Sequence, residues 1–103
     1  MGRRSLRKTD PALDLSPHLK SWDELPRPWN PVELFGRAAP LEIEVGSGKG
    51  LFLAAASAAQ PDRDFLGVEI AVKYARYAAA RLARRELTNA VLVTAMPSGC
   101  SAI

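Results

Sequence analysis

From Leu41 the chain alternates, with Leu41, Ile43 and Val45 apolar and Glu42 and Glu44 acidic, until Gly46, Gly48 and Gly50 break the run. Period-two alternation predicts a strand, and the glycines predict a tight loop after it. Leu51, Phe52, Ala54, Ala55, Ala56 and Ala59 then form a helix-favouring stretch that Pro61 and Asp62 end. A second apolar run, Phe65, Leu66, Gly67 and Val68, stops at Glu69. In the next segment each helical residue advances about 100°. Val72, Ala75, Ala79, Leu82 and Ala83 fall on one face, while Lys73, Tyr77, Arg81 and Arg84 fall opposite. The angles predict an amphipathic helix whose small alanines allow close approach to a sheet. Thr88 and Asn89 turn the chain into a third short strand, Ala90 to Val93. Alternating strands and helices with short connections predict an α/β fold, a parallel sheet of about three strands ordered 3-2-1 with two main helices.

Residues 1–40 differ in texture. Pro11, Pro17, Pro26, Pro28, Pro31 and Pro40 lie there, and proline at that density blocks long helices and central strands. This region is expected to be a Pro-rich N-terminal arm rather than core. One helical turn is expected at Asp23, Glu24 and Leu25, and another from Pro31 to Phe35 with Asn30 as its N-cap. Trp22, Trp29 and Phe35 either pin the arm onto the body by burying their rings or stack on a nucleic-acid base. Residues 41–93 are expected to form the domain body, and residues 94–103 carry neither strand nor helix periodicity.

Charge and cysteine content narrow the partners. The net charge of +3 is unevenly spread, with Arg3, Arg4, Arg7 and Lys8 crowding the first eight residues, which suits an anionic partner. The single cysteine, Cys100, cannot form an internal disulfide, and with the single histidine, His18, it makes a poor metal site. No metal is expected. No apolar stretch approaches the roughly 20 residues that span a bilayer, and the basic start lacks the apolar core of a signal peptide. The expected compartment is the cytoplasm.

The chemistry concentrates at Glu44-Val45-Gly46-Ser47-Gly48-Lys49-Gly50, where a first strand hands over to a first helix. Doubly wound folds bind nucleotides there, because glycines let backbone approach a ligand and the helix start offers unpaired N–H groups. The dinucleotide fingerprint needs its third glycine where Leu51 stands. A phosphate-binding P-loop needs Ser or Thr where Gly50 stands and a glycine where Ile43 stands. Both patterns fail. Glu69 ends the second strand about 20 residues past the loop, the place where an acid grips ribose hydroxyls in this architecture. Both oxygens of a carboxylate accept, matching two hydroxyl donors. Glu44, in an otherwise apolar strand end, suits a cation; its plainer reading is an exposed edge charge, as expected for Glu42.

Together LEIEVGSGKG, PDRDFLGVEI and LTNAVLV resemble the bacterial tRNA (guanine-N7-)-methyltransferases, a Rossmann-like family. The resemblance covers about Leu41 to Val93 and extends loosely into the arm. Pro61, Asp64, Phe65, Gly67, Glu69 and Asn89 at matching intervals carry it beyond the glycine loop. It implies methyl transfer from S-adenosylmethionine to N7 of a guanine in the tRNA variable loop. Cofactor-binding positions of the family match Glu44 and Glu69, with Gly46, Gly48 and Gly50 shaping the loop. A further family position, acidic or amide and facing the adenine, falls at Met96, which departs from the pattern.

The family's substrate-holding residues lie beyond the third strand and have no counterpart here, so the chain reads as a partial fold cut short before its catalytic half. Arg3, Arg4, Arg7, Lys8, Lys73, Arg81 and Arg84, with Tyr77 on the same helix face, are candidate tRNA contacts, binding phosphate with an affinity that falls with salt. Two alternatives stay open: a methyltransferase of the same fold acting on a small molecule or protein, and a fragment that catalyses nothing. A first strand with one neighbour leaves an apolar edge that invites aggregation.

Overall fold

The computed structural model describes residues 10–94. Its elements are β1 (Leu19–Ser21), a 3-10 turn (Trp22–Glu24), α1 (Pro31–Phe35), β2 (Leu41–Val45), α2 (Leu51–Ala59), β3 (Asp64–Val68), α3 (Val72–Arg84) and β4 (Ala90–Thr94). The strands form one parallel sheet in the order β1-β4-β3-β2. The expected 3-2-1 order of the three main strands is therefore present as β4-β3-β2, with Ile43 beside Leu66 and Leu66 beside Val91.

The fourth strand corrects the expectation that proline keeps the arm out of the sheet. Pro17 and Pro26 leave the segment between them free of proline, and Pro17 stands before the first paired residue, where its missing N–H costs nothing. Leu19 pairs with Leu92 and Ser21 with Thr94, while the Leu92 N–H donates to the His18 carbonyl at 2.7 Å. The buried His18 ring lies with Nδ1 at 3.1 Å from the Ala90 carbonyl oxygen. The turn expected from Pro31 to Phe35 forms as read, and the earlier one forms one residue sooner, as a 3-10 turn over Trp22–Glu24 with Leu25 extended beyond it. Asn30 caps α1 by accepting from the Val32 N–H at 3.1 Å, and Gly36 ends it in the left-handed conformation. The Glu24 carboxylate accepts from the Ser21 N–H at 2.8 Å.

Position in the sheet explains the strand patterns. Strands β3 and β4 are covered on both faces and read as near-continuous apolar runs, whereas β2, with β3 as its neighbour, alternates. Helices α2 and α3 cover one face, where Leu53, Ala54, Phe65, Ala78, Leu82, Ala90 and Leu92 form the larger core cluster. On the other face Leu66, Val91 and Val93 are met by Leu25, Leu34, Phe35 and Leu41 from the arm and its junction. Phe35 thus helps pin the arm, but Trp22 and Trp29 stay half exposed at the rim of an apolar cleft floored by Ile43, Leu66 and Val68. At the open edge Val45 is 81% exposed.

Two polar ties lock these layers at the amino ends of the strands. Arg37 of the arm donates through Nε and Nη2 to Oδ1 of the buried Asp64, at 3.0 and 2.8 Å, and through Nη2 to the Pro61 and Arg63 carbonyls. Asn89 Nδ2 reaches the carbonyls of Ser57, Gln60 and Arg63 at 3.0, 3.1 and 2.9 Å. One buried amide therefore joins the end of α2, the turn into β3 and the start of β4. Chemical denaturation should find Asn89→Ala destabilised by about 2 kcal/mol, since buried carbonyls lose their donor. Stability equal to that of the parent would show that these bonds contribute nothing.

Candidate cofactor site

The glycine loop leaves β2 at the carboxyl end of the sheet, where parallel α/β sheets bind ligands. Its N–H groups are spoken for in sequence. Those of Gly46 and Ser47 donate to the Val68 carbonyl at 2.7 and 3.2 Å, and that of Gly50 donates to the Ser47 carbonyl at 3.0 Å. The loop is thus fastened to the end of β3 and turned toward α2.

Gly50 must be glycine for two reasons. Its φ of +78° is left-handed, and a Cβ there would stand 2.7 Å from the Ala78 Cβ of α3. The alanine face of α3 is what makes this approach possible: Ala75, Ala78, Ala79 and Leu82 are fully buried. Ala75, Ala79 and Leu82 follow the helical angles, with Val72 and Ala83 partly buried beside them, while Ala78 lies outside the expected face. Gly67 serves the same packing from below, since a side chain there would meet Ser47 Oγ, Leu53 and Leu92.

Glu69 sits one residue past β3, with its N–H bonded to the Val93 carbonyl at 3.0 Å. Its carboxylate turns into the loop: Oε1 accepts from the Gly48 N–H at 2.6 Å, and Oε2 accepts from the Ala71 N–H at 2.9 Å. The acid and the glycines, 21 residues apart in sequence, are therefore one structure. Each carboxylate oxygen keeps a second lone pair for a hydroxyl donor.

Glu44 lies beside Gly67 in the register and so shares the sheet face that α2 and α3 cover. Among the described residues its Oε1 is a buried side-chain oxygen without a hydrogen-bond partner. A buried carboxylate oxygen left unpaired is costly, and a cationic or N–H-bearing ligand relieves that cost. Glu42, two residues earlier, is exposed and lies 3.7 Å from Arg63.

The candidate cations divide. Lys73 and Arg84 are exposed on α3, whereas Arg81 is partly buried, donates from Nε to the Lys49 carbonyl at 3.1 Å, and lies 5.6 Å from the Tyr77 ring centre. Arg3, Arg4, Arg7, Lys8, Met96 and Cys100 lie outside the described residues. The helix angles had no means of revealing the Arg81 bond, because its partner is 32 residues away.

A family described as "Putative methyltransferase" matches residues 38–96, which takes in β2, the glycine loop, α2, β3, Glu69, α3 and β4. The chain belongs to this methyltransferase family. A relative named tRNA (guanine-N(7)-)-methyltransferase from Rhodopirellula baltica is 54% identical over 93 residues, 90% of this chain and 34% of the relative. Proteins of the same name from Saccharophagus degradans and Streptococcus suis are 54% identical over 43 residues and 39% over 62, covering 42% and 60% of this chain. The chain spans about a third of the length of the Rhodopirellula relative. Membership of a methyltransferase family implies a methyl donor.

Two alanine substitutions separate conformation from packing. Gly46 has a φ of +80° and no atom within 4 Å of the place a methyl group would take, so it should accept alanine at the conformational cost alone, about 1–2 kcal/mol. Gly50→Ala adds the collision with Ala78 and should cost about 2–4 kcal/mol. Thermal unfolding of the two variants checks this, and equal losses would contradict the close contact.

Proposed function

We infer that this chain supplies the S-adenosylmethionine-binding part of an enzyme that methylates N7 of a guanine in tRNA. The observation that carries the reading is the Glu69 carboxylate held against the Gly48 N–H at 2.6 Å. Glycine backbone and a strand-end acid in contact form the ribose-gripping half of a nucleoside pocket. The unpaired Glu44 oxygen adds a place for the ammonium group of the cofactor's methionine part. The substrate is read from the names of the relatives and the resemblance of the motifs. The compartment that goes with a tRNA substrate is the cytoplasm, and no helix among the described residues is long and apolar enough to cross a membrane.

When bound, S-adenosylmethionine offers a methyl carbon whose bond to a cationic sulfur breaks toward sulfur as the guanine N7 lone pair takes the carbon. N7 is an acceptor in nucleic acid, so it needs no base to remove a proton first. The work left to this chain is positioning. Glu69, through the second lone pairs of its two oxygens, would hold the ribose hydroxyls over the bare glycine backbone, and Glu44 would hold the amino end. Exposed Lys73 and Arg84, with Arg3, Arg4, Arg7 and Lys8 of the arm, supply phosphate contacts.

Calorimetric titration with S-adenosylhomocysteine tests the pocket. The parent should bind, and Glu69→Ala and Glu44→Gln should each weaken binding about 10- to 100-fold, the scale of a hydrogen bond to a charged group. Absence of binding by the parent would favour a fragment without cofactor chemistry, and unchanged affinity in Glu69→Ala would refute the pocket. Charge reversal at Lys73 and Arg84 should lower affinity for tRNA and flatten its salt dependence by roughly two phosphate contacts, with cofactor affinity unchanged. The same loss of cofactor and tRNA binding in that variant would mean that the helix had been disrupted instead.

A further inference from the structure

We propose that Arg81 is a positioning residue for the glycine loop, tethering it from α3 rather than meeting an external partner. The proposal rests on the reading of that loop as the cofactor cradle. Gly46, Gly48 and Gly50 all hold left-handed φ values, of +80°, +57° and +78°, and glycine loses more freedom on ordering than any other residue. The first part of the loop is fastened by the Val68 carbonyl and by Glu69. Lys49 lies beyond those fastenings, and its carbonyl receives Arg81 Nε at 3.1 Å.

The tether comes from the same surface of α3 that sets the approach of Gly50. Ala78, which a Gly50 side chain would strike, and Arg81 are three residues apart, neighbours on one side of the helix. One helical turn thus supplies a steric stop for Gly50 and a donor for Lys49. The Arg81 guanidinium lies 5.6 Å from the partly buried Tyr77 ring centre, four residues back, an attraction that restricts the side chain before it donates. A planar guanidinium stacks on a ring and directs Nε sideways to a carbonyl in one fixed geometry, whereas an ammonium on a flexible stem loses more freedom to make the same two contacts. Because Gly48 presents its N–H to Glu69 from the residue next to Lys49, slack at Lys49 is transmitted to the ribose-gripping contact.

The experiment compares the parent with Arg81→Lys, Arg81→Met and Arg76→Met by amide hydrogen exchange without ligand and by titration with S-adenosylhomocysteine. Arg81→Met should speed exchange at Gly48 and Gly50 about tenfold while the β4 amides, which report global opening, keep the parent rate. Its affinity for S-adenosylhomocysteine should fall about tenfold. Arg81→Lys should restore neither fully, and Arg76→Met, at an exposed cation of the same helix, should match the parent. Unchanged loop exchange in Arg81→Met overturns the tether whatever the affinities, as does faster exchange spread equally over loop and β4, the mark of a merely structural role. Faster exchange confined to the loop, in a series where even the parent binds no S-adenosylhomocysteine, supports the tether and overturns the cofactor reading.

Discussion

A single carboxylate joins the carboxyl ends of β2 and β3. Glu69 stands at the end of β3, the glycine loop at the end of β2, and the 2.6 Å bond from Gly48 to Glu69 makes the separate strand ends into one surface. Much of the surrounding structure serves that meeting. The β2–β3 register brings Val45 beside Val68, so that the loop N–H groups reach the Val68 carbonyl. The absence of side chains at Gly50 and Gly67 lets α3 and the sheet close around the loop. Charge is then concentrated where the backbone is bare, with Glu69 satisfied by two N–H donors and Glu44 holding an unpaired buried oxygen.

The opposite end of the sheet carries a second set of fastenings. Asn89 and the Arg37–Asp64 pair lie at the amino ends of the strands, where they bind helix, turn and arm together. The arm is structural along its described length, since β1 extends the sheet and Phe35 packs on the cluster of Leu66, Val91 and Val93. The free side of β2, with Ile43 and Val45 exposed, is an open apolar edge of the kind that favours pairing with another chain.

Strands, helices and cradle were legible because each has a local signature. Alternation marks β2, glycines mark the loop, and the 100° rotation marks the buried side of α3. The strand Leu19–Ser21 was not legible, for three residues between prolines carry no period of their own and become a strand only when β4 offers an edge. Asn89 read as a turn residue, yet its amide spans contacts up to 32 residues distant. Arg81 read as one of several cations on a polar face. Its distinction comes from the loop that tertiary packing brings beside it, and side-chain angle along one helix holds no information about that. Glu44 read as a carboxylate in an apolar setting, but its unpaired oxygen is a property of the packed sheet.

We infer that ligand contact is made at the carboxyl ends of β2 and β3. Backbone amide NMR shifts recorded while S-adenosylhomocysteine is added test it most directly. The largest changes should fall at residues 46–50 and 69–71, with the indole signals of Trp22 and Trp29 left in place. Changes centred on the tryptophan cleft, with the Gly48 and Ala71 amides unmoved, would contradict it.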